Sequence, residues 1–289
     1  MGALERALAR IAPPSHGAPA LAAREALGLC VGLVVLLGFS KPLLDGVLGL
    51  TGAAYALAAA WQLFIPLDRL DRARIHPASF GIHVHGLVGV PLRILEHALV
   101  VRAAGKRASV KAVVRWFRPY TWRARLNRRG VLRELGLAAL ACGVTFPPFC
   151  LGFVELQRYL AARSNHSVVV DWQLPPELLS LLATHLLVVA VPEELFYRGY
   201  IHTLLVRAWP PRFTVFGAGL GAAVLVGSFM FALGHFAGEW NPARLGPFFP
   251  ALLFCALRSV GGGLLAAVIY HGLSNVVGEM VRVSVHWGP

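Results

Sequence analysis

Charge is scarce in this chain, and acid is scarcer still. Its 289 residues hold 14 Asp and Glu against 27 Lys and Arg, and charged residues make up 14% of the total. A soluble globular domain carries about 25%, so the sequence excludes an ordinary soluble domain. Cysteine is also sparse. Cys30, Cys142, Cys150 and Cys255 are scattered through apolar stretches with no CxxC spacing, which excludes a disulfide framework and a zinc knuckle. No small-residue cleavage site follows the apolar run from Ala26 to Phe39, so that run reads as a retained first membrane segment. No inverted internal repeat is visible, which argues against the common transporter folds.

What is abundant is apolar. Hydrophobic residues make up 57% of the chain, and they come in long blocks rather than amphipathic stripes. The fold class that follows is all-α, a polytopic membrane helix bundle of about seven to eight transmembrane helices. The blocks fall at 26–44, 47–66, 131–154, 177–206, 214–236, 245–258 and 261–283. They divide the chain into an N-terminal transmembrane hairpin (1–66), a basic segment (67–130) and a transmembrane bundle (131–289). Glycines at 217, 219, 221 and 227 read as packing positions along one helix, and Gly261-Gly262-Gly263 as the opening of the last.

The net charge of +13 is concentrated between Leu67 and Gly130, where 14 Lys and Arg face only Asp68, Asp71 and Glu96. No soluble module surrounds this block, so nucleic acid is not the expected partner. A cytoplasmic, membrane-hugging segment against anionic lipid headgroups is. Trp116, Phe117, Tyr120 and Trp122 suit an interfacial position, and His83, His85 and His97 read as solvated there. With both flanks of the first hairpin basic, the N-terminus and this block are expected in the cytoplasm. The loop after residue 158 and the C-terminus are then expected outside. The Ala-, Arg-, Gly- and Leu-rich composition points to a bacterial inner (cytoplasmic) membrane.

Against this apolar background a few polar residues stand out. Glu193, Glu194 and Arg198 lie inside the 177–206 block, and ionisable groups at membrane depth mark functional sites by default. Residues four apart share a helix face, so Glu194 and Arg198 can pair within one helix, leaving Glu193 free on another face. Pro192 removes a backbone hydrogen bond beside them and loosens the helix. His271 and Asn275 are also four apart and can donate to one oxygen, which is what an oxyanion hole needs. His235 follows Phe231 at the same spacing. Glu193 with His235 would hold and deprotonate a water, while His271 and Asn275 would polarise a scissile carbonyl. His185 and His202 are as readily packing residues as functional ones.

The Glu-Glu-x-x-x-Arg of 193–198, the Phe-x-x-x-His of 231–235 and the His-x-x-x-Asn of 271–275 resemble the three ordered motifs of the CPBP family. These are the CAAX-processing and bacteriocin-processing glutamic intramembrane proteases, also called Abi, with the myxosortase-like branch among them. The resemblance spans about residues 177–283. It implies a helical bundle around a water-filled cavity, and cleavage of a membrane-associated protein or peptide near its C-terminus or leader. It also implies no cofactor, with Glu193 activating water beside His235, His271 and Asn275 as the oxyanion pair, and Glu194 and Arg198 in support. The residue types leave other readings open. A zinc protease could use Glu193, His235 and His271 as ligands, and a transporter or an idle adaptor could bury the same groups.

Overall fold

In a computed structural model of the protein, residues 18–85 and 127–288 are described. Most of the basic segment, with His97, Trp116, Phe117, Tyr120 and Trp122, lies outside them. Seven helices form the bundle among the described residues. Helix α1 spans Pro19–Lys41 and continues as a π-helical stretch to Val47, α2 spans Ala53–Arg72, and α3 spans Arg128–Arg163. The composite helix α4 runs Leu178–Ala208. Helices α5 (Ala222–Glu239), α6 (Phe248–Gly261) and α7 (Leu265–Ser284) complete the set.

Among the described residues, five stretches are long and apolar enough to cross a membrane: Pro19–Val47, Arg128–Arg163, Leu178–Ala208, Ala222–Glu239 and Pro242–Gly261. This is an integral, multi-pass membrane protein. Helices α2 and α7, both expected as crossings, fall short of that hydropathy. The former ends in Asp68, Arg69, Asp71 and Arg72, and the latter carries His271, Asn275, Glu279 and Arg282.

The chain runs up and down through the bundle. One end gathers the start of α1, the end of α2, the start of α3 and the end of α4. The other gathers the α1–α2 turn, the α5–α6 connection and the C-terminus. There, strand β1 (Ser167–Val170) pairs antiparallel with β4 (Val285–Gly288), so the segment after α3 and the C-terminus share one end, as the expected topology requires.

Several boundaries differ from the sequence reading. The block at 214–236 is not helical throughout. Strands β2 (Phe213–Val215) and β3 (Ala218–Leu220) form a hairpin, turned by Gly217 at φ +81, a conformation open to glycine without steric cost. Gly217, Gly219 and Gly221 therefore precede α5 instead of lining it, while Gly227 lies inside it against Leu205. Gly261 ends α6 and Gly262 caps it at φ +87, so the glycine triplet joins two helices rather than opening the last. Helix α2 runs through Pro66 to Arg72, past the expected boundary at 66.

Two buried carboxylates tie the basic end together. Glu25 of α1 accepts from Arg69 Nε of α2 at 2.7 Å and from the Tyr200 hydroxyl of α4 at 2.5 Å. Glu134 of α3 accepts from the backbone N–H groups of Gly263 and Ala266 at 2.8 and 2.9 Å, satisfying open donors at the start of α7 where a negative charge complements the helix dipole. It also contacts His85 Nε2 at 2.6 Å. His83 and His85 are thus half-buried and packed edge to face, not solvated. Burial, followed by the neighbouring His85, lowers the affinity of His83 for a proton. Glu134→Ala orphans two buried donors at about 1–3 kcal/mol each. We expect an unfolding midpoint in detergent well below that of the parent protein, and an unchanged midpoint would contradict the capping role.

Candidate active site

Helix α4 supplies the two glutamates, and its backbone explains how they are aimed. Two π-helical stretches, Thr184–Ala190 and Leu195–Ile201, flank a short α turn at Val191–Glu194. Pro192 cannot donate to the ladder, and the wider turns accommodate it. In a pure α-helix, side chains four apart drift by about 40° per step. From His185 through Val189 and Glu193 to Tyr197 that drift would total about 120°, taking the series off any one face. The π turns, wider than 3.6 residues each, cancel it, and all four residues line one cavity.

That cavity, about 770 Å³, is walled by α1, α2, α4, α5 and α7. Glu193, His235 and Asn275 all line it, with His185, Gln62, Ser274 and Tyr197 around them. Glu193 and His235 therefore share one chamber although Glu193 is the middle residue of α4 and His235 lies four residues before the end of α5. The late start of α5, at Ala222, brings the two level. His235 Nδ1 donates to the Phe231 carbonyl at 3.1 Å. A carbonyl only accepts, so the proton sits on Nδ1 and the Nε2 lone pair is left for another donor.

Glu194, about 100° around the helix from Glu193, points into the packed interior. Its Oε1 lies 3.2 Å from Arg198 Nη1 and 2.8 Å from His271 Nδ1. Glu194 and Arg198 are 0% and 1% exposed at the side chain. The guanidinium is held between the rings of Phe231 and Phe254, at 4.2 and 4.6 Å from their centroids. His271 stacks on Phe254 at 4.7 Å, and its Nε2 lies 3.7 Å from Glu193 Oε2. The imidazole of α7 thus bridges the two carboxylates of α4.

The six residues singled out in the sequence converge, with one difference in arrangement. His271 and Asn275 were expected side by side on one oxygen. His271 is instead buried behind Glu193, while Asn275 stands in the cavity with its amide nitrogen 3.4 Å from His185 Nδ1. His202 is buried near the basic end of α4, away from the cavity. Tyr55, Glu239 and Arg244, which the sequence did not single out, stand at the cavity mouth, with Glu239 3.3 Å from the Tyr55 hydroxyl and 2.9 Å from Arg244. Tyr55 and Glu239 are 184 positions apart, and Arg244 lies beyond the end of α5 from Glu239, so no helical spacing marks them. Among the described residues, no group of three His, Cys, Asp or Glu side chains is placed to hold a metal ion.

Residues 175–277 match the family model described as type II CAAX prenyl endopeptidase Rce1-like. The match contains all seven residues of the three motifs, and it is consistent with the CPBP family without distinguishing a myxosortase-like branch. No curated protein and no solved structure matches the chain.

Proposed function

We propose that this integral membrane protein, whose residues 175–277 form an Rce1-like endopeptidase domain, hydrolyses a peptide bond of a membrane-associated protein by a metal-free glutamate mechanism. The observation that carries the reading is a single chamber lined by Glu193, His235 and Asn275, with His271 3.7 Å behind the glutamate. A water held between Glu193 and His235 Nε2 gives its proton to the carboxylate as its oxygen attacks the carbonyl carbon. The carbonyl becomes an oxyanion, held by the Asn275 amide and by His271 Nε2. Collapse breaks the C–N bond, and the proton on Glu193 passes to the leaving amine.

The test compares precursor processing of the membrane proteome in cells making the parent protein or Glu193→Gln at matched levels. A peptide terminus found only with the parent protein supports proteolysis and identifies the substrate. Identical termini, with both proteins folded, would move the reading to transport or to an adaptor role. His235→Ala is expected to abolish the same cleavage in purified protein. A chelator should leave cleavage unchanged, and its loss would favour a zinc ligand set of Glu193, His235 and His271. The basic 67–130 segment we place against anionic headgroups, a contact that vesicle binding with and without anionic lipid tests.

A further inference from the structure

The two ends of the bundle differ in charge, and the cavity communicates with only one of them. At the first end, Arg72 and Arg74 follow α2, Arg128, Arg129 and Arg133 open α3, and Arg207 closes α4. The basic segment 86–126 leaves from and returns to this end, where the Asn127 N–H donates to the His85 carbonyl. At the opposite end cations are few and, apart from Arg163 against Tyr159, locally matched: Lys41 with Asp45, Arg158 with Glu155, Arg244 with Glu239 and Arg282 with Glu279. Asp171 and Glu177 add acid there. Cytoplasmic flanks carry the excess of Lys and Arg, which makes the first end cytoplasmic.

Between the catalytic residues and that cytoplasmic end the bundle is closed. Every residue of α4 from Glu194 to His202 is buried. Arg198 with its two phenylalanines fills the layer below the site, and the Glu25–Arg69–Tyr200 cluster fills the next. Toward the opposite end the wall opens. The cavity continues past His185, Asn275 and Gly278 to Tyr55, Glu239, Arg244 and Glu279, all on the acid-balanced side.

From this asymmetry we infer that the chamber opens to the extracytoplasmic face, and that its substrate is an exported polypeptide whose membrane anchor presents the scissile bond on that side. The inference rests on the proteolytic reading above, but it makes a separate claim: the direction from which substrate and water arrive. A polypeptide lying wholly on the cytoplasmic face meets a packed layer of aromatic and ion-paired side chains instead of an entrance.

Directional cysteine labelling of the full chain tests it. Gly278→Cys places a thiol on the cavity wall near the mouth, where an added Cβ meets nothing within 4 Å. Ser79→Cys places one in the exposed turn Pro77–Phe80 at the basic end. A membrane-impermeant maleimide is applied to right-side-out spheroplasts and to inverted vesicles, with the parent protein and its four cysteines giving the background. The expected result is Gly278→Cys labelled in spheroplasts and Ser79→Cys labelled only in inverted vesicles. Labelling of Gly278→Cys only from the inverted side, or from neither side, overturns the inference. Termini that depend on Glu193 should fall on the extracytoplasmic flank of their anchors, and termini on the cytoplasmic flank overturn it too. Loss of Glu193-dependent cleavage is read separately, so the orientation can fail while proteolysis stands, and the reverse.

Discussion

Peptide cleavage is expected to stop when Glu193 is replaced by Gln, and the protein is expected to stay as stable as before. The substitution keeps the volume of the side chain and removes only the proton acceptor. General-base catalysis contributes about 10²–10⁴ in rate, so processing should fall by at least that range. Stability should not follow, because Glu193 gives up little in the packed interior. Its side chain is 17% exposed at the cavity wall, and the Oε2 atom has no hydrogen-bond partner among the described residues. Arg198 keeps its partner, Glu194. The measurement is a paired one, with turnover of the identified substrate set against the thermal midpoint in the same detergent. Equal activity in the two proteins would sink the mechanism.

Arg198→Ala is expected to fail in the opposite way, through folding first. The guanidinium is the one cation beside Glu194 within α4, and both side chains are essentially inaccessible to solvent. Removing one partner of a buried ion pair leaves an uncompensated charge and costs about 3–5 kcal/mol. The two cation–π contacts with Phe231 and Phe254 are lost as well. Since a typical domain is stable by only 5–15 kcal/mol, poor expression and a sharply lowered unfolding midpoint should result. Glu194→Gln should be milder, because an amide can still accept from His271 Nδ1, but it too leaves Arg198 without a counter-charge. A normally stable Arg198→Ala protein lacking only activity would reassign Arg198 from support to chemistry.

The candidate site was legible because its members come in pairs four residues apart on apolar helices. Glu194 with Arg198, Phe231 with His235 and His271 with Asn275 announce shared faces. The structural carboxylates were not legible in that way. Glu134 lies 49 positions from His85 and 129 from Gly263, and Glu25 lies 175 from Tyr200. Alone at helix starts, each looks like a solvated end charge. The hairpin Phe213–Leu220 was hidden for another reason. Its residues are apolar and run without a polar break into α5, so hydropathy merged them, and only the turn at Gly217 separates the two. The spacing of His271 and Asn275 announced a shared face but not their depth: His271 is drawn inward by Glu194 with its Nε2 toward Glu193, while Asn275 lines the cavity.

The π turns of α4 also affect how this chain aligns with others. A π turn is, in effect, one residue added to an α-helix without lengthening its path, so Thr184–Ala190 and Leu195–Ile201 are each candidate one-residue insertions. A related helix that lacks the first would carry its glutamate pair one position nearer to its start, and an ungapped alignment from that start would set its first glutamate opposite Pro192 and its second opposite Glu193. Deleting a single residue from 184–190 here should leave the hydropathy of α4 nearly unchanged. It also removes the π turn: His185 and Glu193 then stand seven α-helical residues apart, about 20° off two full turns, and still face the same water.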